Sequence, residues 1–277
     1  MSRRKPDPTE HHERFQQRKR EPKPIRGVGK LQQGNTEGPR FEDRGLQRLH
    51  EAGYFNDLEY EVRSGKEATV YVVSGQRGLL AAKVYTDERL RAFKNAHEYG
   101  EGRYVADSRV QRALRERSKT GVSKEQALWI GEEFMQMRAL REAGVPVPEA
   151  VDLAGRVILM QFIGDEDGPA PRVADADLSS EQAEAALEEA IEAMSRMLRA
   201  GRIHGDFSAF NLLWWQDHVV VIDFPQVVDA ERHPRAEEFL ERDARSLAMS
   251  FKRFGLNPEP GALLAEVRRR AREKPAS

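Results

Sequence analysis

The sequence predicts a two-lobed α+β fold, in which a small β-rich part is followed by a larger, mainly helical part. Apolar, β-branched runs dominate residues 60–85, whereas apolar residues at helical spacing dominate from residue 179 onward. The 277 residues are enough to bury a sizeable core. The chain has no cysteine, which excludes a disulfide scaffold, a thiolate metal site and a cysteine nucleophile.

Residues 1–40 differ in composition from the rest of the chain. They carry 11 Lys or Arg against 5 Asp or Glu, whereas the remainder carries 34 against 41. Few of them are apolar, so we expect a disordered basic arm. It is either a solvated tail without a partner or an arm that approaches RNA or an acidic surface. We find no signal peptide and no membrane-spanning run, and we expect a cytoplasmic protein that makes no membrane contact.

The β-rich part begins with a helix that we expect from Phe41 to about His50. Apolar runs over residues 64–74 and 79–85 are joined by the Gly-bounded link 75–78, which predicts an antiparallel hairpin. Residues 86–120 are strongly charged and show little periodicity, so we expect a mobile insertion containing one short helix.

The central part of the chain predicts a helix followed by a strand. Ser123 and Gln126 fit a capping box, apolar residues then keep helical spacing, and Gly144 stands where the helix would stop. Two prolines force an extended path after it. Residues 156–160 are expected to form a strand, and residues 164–177 a loop.

The helical part opens with a second capping box, from Ser179 to Gln182, and a stripe of apolar residues that ends before Gly201. Short apolar runs follow at residues 203–215 and 219–224. Helical patterns return at residues 236–255 and 261–271. We expect a binding site between the two lobes.

The strongest chemical signal lies in the short apolar runs. His204 and Asp206 are followed five residues later by Asn211, and Asp223 ends the next apolar run. This order is typical of the catalytic loop and metal-binding aspartate of kinases. Asp206 would orient an attacking hydroxyl and accept its proton, while Asn211 and Asp223 offer hard oxygen ligands for Mg²⁺.

Two features of the β-rich part fit the same chemistry. The turn at Ser64-Gly65-Lys66-Glu67 can present backbone amides to a phosphate, although a plain hairpin turn would have the same sequence. Lys83 lies within an apolar strand, where it is either an edge-strand lysine that reaches solvent or a buried ammonium that requires partners. Phosphate oxygens and a carboxylate of the next helix, Glu132 or Glu133, could provide them.

The chain resembles the RIO-type atypical serine/threonine protein kinases, most closely the first RIO subfamily. The matching tracts are SGKEATVY, AAKVYT, WIGEEFMQMRALREAGVPVPEA, ILMQFIG, GPAPRV, IHGDFSAFN and VIDFPQVV, between about residues 60 and 245. The resemblance implies a trimmed kinase fold, with lobes at 41–163 and 164–277. It also implies ATP and Mg²⁺, or Mn²⁺ in its place, and a reaction that phosphorylates a protein or the kinase itself, or hydrolyses ATP.

The resemblance also implies roles for individual residues. Asp206 would be the catalytic base, Glu133 would pair with Lys83, and Asn211 and Asp223 would hold the metal. Asp223 is also the candidate for a phosphoaspartate. ATP would contact Ser64, Gly65, Lys66, Glu67, Ala68, Val70, Lys83, Met160, Phe162 and Ile163.

Three positions depart from the patterns of kinases. Pro225 stands where protein kinases have glycine, Ala209 where the family often has an acidic residue, and Gly205 where it often has alanine.

Two other hypotheses stay open. The HGDxxxxNLL and VIDF tracts also fit small-molecule phosphotransferases of the aminoglycoside or choline kinase type. The basic arm fits a ribosome- or RNA-associated module that binds ATP as a structural ligand.

Overall fold

The structure is a computed structural model that describes residues 41–86, 124–224 and 226–273. The predicted basic arm, the predicted insertion beyond Thr86, the capping residue Ser123 and the Pro225 position lie outside these ranges.

A five-stranded antiparallel sheet forms the β-rich part, with strand order β1-β2-β3-β5-β4. Its strands are β1 (Asp57–Ser64), β2 (Ala68–Gly75), β3 (Gly78–Tyr85), β4 (Ala150–Ala154) and β5 (Val157–Gln161). The predicted hairpin is confirmed as β2 and β3, which pair up to Gly75 and Gly78. The prolines before β4 indicated only an extended path, so this strand was not predicted.

One face of the sheet is covered by helix α1 (Arg44–Glu51), which the sequence predicted. Leu46 and Leu49 of this helix pack against residues that alternate along β3 and β5. Asp43 caps the helix by accepting hydrogen bonds from the backbone N–H groups of Gly45 and Leu46. The other face of the sheet, which carries Lys83, is therefore the one available to a site.

Helix α2 (Lys124–Glu142) joins the sheet to the rest of the molecule. It ends before Gly144, which has the left-handed φ of +76° that the predicted stop requires. Its buried residues, among them Ile130 and Phe134, belong to the same core as the helices of the second part. A side chain on α2 is thus fixed relative to both parts.

The second part is mainly helical, as predicted. Its helices are α3 (Ser180–Arg199), α4 (Ala236–Ser250) and α5 (Pro260–Arg272). Its short strands are β6 (Gly164–Asp165), β7 (Gly168–Pro169), β8 (Arg202–Ile203), β9 (Leu212–Trp215), β10 (His218–Val221) and β11 (Val228–Asp229). The capping box at Ser179 is confirmed. Within the described ranges, no helix combines the length and apolar character needed to span a membrane.

The predicted loop over residues 164–177 contains a short β-ribbon and a bridge that were not predicted. Gly164 pairs with Pro169 in the β6–β7 ribbon, and Arg172 forms a bridge to Leu213 on β9. Strands of two residues are too short to show an alternating pattern, so they could not be predicted from the sequence.

Candidate active site

Four side chains form a connected polar network below the sheet, which we call the sheet-side network: Lys83, Tyr85, Glu133 and Asp223. The Lys83 Nζ donates to Glu133 Oε1 and to Asp223 Oδ1, both at 2.8 Å. The Tyr85 hydroxyl donates to Glu133 Oε2. Of the two glutamates considered from the sequence, Glu133 is the partner of Lys83, whereas Glu132 accepts from Gln136 on the next turn.

Burial makes this network depend on its ion pairs. The side chain of Lys83 is 12% exposed and that of Glu133 only 2%. Burial by itself lowers the pKa of Lys83, but the carboxylates of Glu133 and Asp223 outweigh it and hold the pKa well above its ordinary value. Lys83 is therefore a permanent cation at the inner end of the site.

Asp206 and Asn211 form a second group, which we call the loop-side pair. The Asn211 Nδ2 donates to the Asp206 carboxylate at 3.0 Å and to the Asp206 carbonyl at 2.8 Å. Asp206 is exposed, and Asn211 lies in the 3₁₀ turn Ala209–Asn211. The carboxylate is thus oriented by one neighbour while it faces solvent.

The backbone around the loop-side pair is held from behind by helix α4. Asp243, which is 1% exposed, accepts hydrogen bonds from the N–H groups of Gly205 at 2.8 Å and Phe207 at 3.0 Å. Arg242 donates to the carbonyl of Gly205. Burial raises the pKa of the Asp243 carboxyl, and the two N–H donors partly offset that rise.

Sequence reasoning missed Asp243, although a signal was present. An acidic residue stands at helical spacing within the apolar stripe of α4, between Leu240 and Leu247. A carboxylate on the buried face of a helix needs donors, and here they are the backbone N–H groups on either side of Asp206.

His204 and Ile222 connect the loop-side pair to the sheet-side network. The buried His204 ring accepts from the N–H of Asp206 through Nδ1 and contacts the carbonyl of Ile222 through Nε2, both at 3.3 Å. Burial lowers its pKa, which favours the neutral ring with one acceptor and one donor nitrogen. The N–H of Ile222 donates to the Asn211 carbonyl at 2.9 Å.

Asp223 follows Ile222 directly and has a left-handed φ of +70°. Such a conformation is uncommon outside glycine and occurs often at functional sites. Here it directs the Asp223 side chain to Lys83, while Ile222 stays bonded to the Asn211 carbonyl.

The turn between β1 and β2 holds the predicted phosphate-contacting residues in an exposed position. Ser64, Gly65, Lys66 and Glu67 are all exposed, and the turn is tied to the end of β3 by Thr86. The Thr86 hydroxyl donates to the Lys66 carbonyl at 2.6 Å, and the Thr86 N–H to the Glu67 carbonyl at 2.9 Å. A Cβ on Gly65 would meet only the Ala68 carbonyl, at 3.6 Å, so the turn itself does not require glycine there.

The sheet face that carries Lys83 also carries an apolar cluster. Val72, Ala81 and Phe162 form a small cluster with half-buried neighbours that include Val70 and Met160. After β5 the chain leaves the sheet at Phe162 and Ile163. The Ile163 carbonyl accepts from Ala170, but its N–H donates no hydrogen bond within the part of the chain that the structure describes.

Comparison with known proteins identifies relatives of this chain. A family model described as the RIO domain matches residues 69–261. The RIO-type serine/threonine-protein kinase Rio1 of Haloferax volcanii is 32% identical over 223 residues, 79% of this chain and 71% of the relative. The Rio1 kinase of Thermoplasma acidophilum is 29% identical over 198 residues, covering 72% and 97%. The human serine/threonine-protein kinase RIO1 is 32% identical over 206 residues, 74% of this chain but 35% of the human protein.

Among solved structures, the chain is similar to the Rio2 kinase of Chaetomium thermophilum in its ADP/Mg²⁺-phosphoaspartate complex. The TM-score is 0.59 at 20% identity, with 89% of this chain and 72% of that chain covered. At this identity the likeness concerns the fold, and it confirms the predicted two-lobed, kinase-like architecture.

Proposed function

This chain belongs to the RIO family, and from that premise we propose that it is an ATP- and Mg²⁺-dependent serine/threonine protein kinase. The observation that supports the proposal most is the bonding of Lys83 to both Glu133 and Asp223. It places a permanent cation between a buried carboxylate and a more exposed one. Family membership favours this function over the small-molecule phosphotransferase alternative.

ATP would bind under the apolar face of the sheet. The cluster around Val70, Ala81, Met160 and Phe162 offers an apolar surface to the adenine ring, and the N–H of Ile163 offers a donor. The phosphates would extend toward Lys83 and the turn at Ser64–Ala68, where Gly65 leaves room for a close approach. The predicted ATP contacts, which also include Lys66 and Glu67, remain part of this proposal.

The residues that would hold Mg²⁺ are Asn211 and Asp223. The amide of Asn211 uses its Nδ2 on Asp206, so its Oδ1 is the atom left for a metal, and oxygen is the ligand that Mg²⁺ prefers. No group of three or more His, Asp or Glu side chains among residues 41–86, 124–224 and 226–273 is arranged as a metal site. The remaining ligands would therefore be phosphate oxygens and water, and the bound ion would neutralise phosphate charge.

Asp206 would act as the catalytic base. Its carboxylate is exposed and oriented by Asn211, so a substrate hydroxyl could donate its proton to it while the hydroxyl oxygen attacks the γ-phosphorus and ADP leaves. Asp223 is a second acceptor in this proposal: its carboxylate oxygen could itself attack the γ-phosphorus and form an acyl phosphate with release of ADP.

The substrate would be a protein or the chain itself, since the relatives are named serine/threonine-protein kinases. The basic composition of residues 1–40 supports an additional contact with RNA or the ribosome.

The test incubates the full-length protein with γ-radiolabelled ATP and Mg²⁺ and measures labelled protein and released phosphate. The wild type should transfer label, and Asp206→Asn should lower the rate about a hundredfold or more, because the base is lost. Asp217→Asn is the matched control, since Asp217 is also exposed and has a φ of +61°, which asparagine tolerates.

Chelation of Mg²⁺ should stop transfer in every active variant. Hydroxylamine cleaves acyl phosphates, so it should release label from the wild type. If Asp223→Asn acquires no such label, the acyl phosphate lies on Asp223. Equal residual turnover in wild type and Asp206→Asn would contradict the proposed function.

A further inference from the structure

We propose that Tyr85 is a positioning residue whose hydroxyl holds Glu133 so that its other oxygen stays on Lys83. The effect of Tyr85 on phosphoryl transfer rests on the proposed function. Its effect on the position of Glu133 rests on the contacts of the sheet-side network alone.

The geometry follows from the alternation of β3. Lys83 and Tyr85 are two residues apart on one strand, so their side chains share a face. Both side chains contact Glu133 of α2. The Lys83 Nζ donates to Glu133 Oε1 at 2.8 Å, and the Tyr85 hydroxyl donates to Oε2. The carboxylate is thus bonded at both oxygens from a single strand, which fixes its rotation.

The phenol itself has little freedom to leave this position. Tyr85 is 1% exposed, and its ring meets the Trp129 ring edge to face at a centroid distance of 4.8 Å. Trp129 lies one turn before Glu133 on α2. The Lys83 Nζ lies 5.2 Å from the centre of the Tyr85 ring, which adds a favourable cation–ring contact. Tyr85 therefore joins the strand to the helix through packing and through its hydroxyl together.

Removal of the hydroxyl would leave one oxygen of Glu133, a residue that is only 3% exposed, without its donor. A buried acceptor left unpaired is costly, so the carboxylate would turn to compete for another donor. Lys83 would then depend more on Asp223, the residue proposed for the metal. The sequence shows only that Tyr85 lies two residues after Lys83; the link to Glu133 emerges from the fold.

The test is a double-mutant cycle with Tyr85→Phe, Glu133→Leu and the double variant. If Tyr85 acts through Glu133, Tyr85→Phe should lower the rate of phosphoryl transfer about tenfold in the wild-type background. It should lower it less than twofold in the Glu133→Leu background, where the hydroxyl has no carboxylate to hold. Tyr71→Phe is the matched control, because Tyr71 is also a buried tyrosine of the sheet but lies in the cluster on the opposite sheet face.

Losses that multiply in the double variant, or wild-type rates in Tyr85→Phe, would overturn the proposal. The same cycle is measured by urea unfolding without nucleotide, where the two substitutions should again be non-additive. This second readout decides about Tyr85 even if the wild type transfers no phosphate, an outcome that would contradict the proposed function alone. Additive unfolding free energies would overturn the positioning role.

Discussion

The two halves of the candidate site are held in opposite ways. In the sheet-side network the side chains of Lys83, Tyr85 and Glu133 are largely buried, that of Asp223 is 42% exposed, and the four are bonded to one another. In the loop-side pair the functional carboxylate is exposed, and the buried bonds go to the backbone around it, from Asp243 and His204.

The difference determines what a substitution can report. Within the sheet-side network, a substitution should remove function and also leave a buried partner without its ion pair or hydrogen bond. Around the loop-side pair, function and support belong to different residues, so each can be removed separately. Substitutions in the sheet-side network should therefore lower stability and turnover together. Around the loop-side pair, a substitution can lower one of the two without the other.

The largest effect is expected for Lys83→Met. The substitution keeps a long apolar stem but leaves the buried Glu133 without its cation, which should lower the free energy of unfolding by about 3 to 5 kcal/mol and abolish phosphoryl transfer. Urea unfolding and the radiolabel assay measure the two losses.

A companion variant separates charge from packing. When Lys83→Met is combined with Glu133→Leu, no buried carboxylate is left unpaired, and most of the lost stability should return while turnover stays absent. A double variant as unstable as Lys83→Met would contradict the view that the ion pair is the fragile element of this region.

An intermediate effect is expected for Asp243→Ala, which removes support from the loop-side pair without touching Asp206. Two buried N–H groups lose their acceptor, so the free energy of unfolding should fall by about 2 to 4 kcal/mol. Turnover of the folded fraction should fall about tenfold, because the backbone on both sides of Asp206 is no longer fixed.

Asp43→Ala is the matched control, since Asp43 also accepts from two backbone N–H groups, at 2.8 and 3.0 Å, but caps α1 on the far side of the sheet, where its other oxygen pairs with Arg156. It should lower stability by about 1 to 2 kcal/mol and leave turnover unchanged. Equal losses of turnover in the two variants would show that general destabilisation, rather than the position of the loop, controls the rate.

Much of this arrangement could be predicted from the sequence, because its signals are local. The hairpin of β2 and β3 follows from two β-branched runs around Gly75 and Gly78, and the capping box at Ser179 from residues three apart. The family and the kinase-like fold were predicted from short tracts, and the comparisons confirm both.

What could not be predicted depends on contacts between distant segments. Asp243 meets Gly205 across 38 positions, and Tyr85 meets Glu133 across 48. Neither spacing carries a pattern, since the fold alone brings the partners together. The individual site roles, including those of Asn211 and Met160, stay predictions until they are measured.

The smallest effect is expected for Gly205→Ala, and it tests how rigidly the loop backbone is fixed. Gly205 has a φ of +81°, and a Cβ built on it would lie 2.6 Å from the carbonyl oxygen of Gln226. Gly201 has a similar φ of +71° but no atom within 4 Å of such a Cβ, so Gly201→Ala measures the conformational strain alone. We expect Gly201→Ala to lower the free energy of unfolding by about 1 kcal/mol with turnover retained.

Gly205→Ala should lower the free energy of unfolding by about 1 to 2 kcal/mol more than Gly201→Ala does. It should also lower turnover several-fold, because Asp206 must shift with its neighbour. Urea unfolding and the radiolabel assay again give both numbers. If the two alanine variants behave alike, the loop can yield at Gln226, and the rigid backbone inferred for the loop-side half of the site would be wrong.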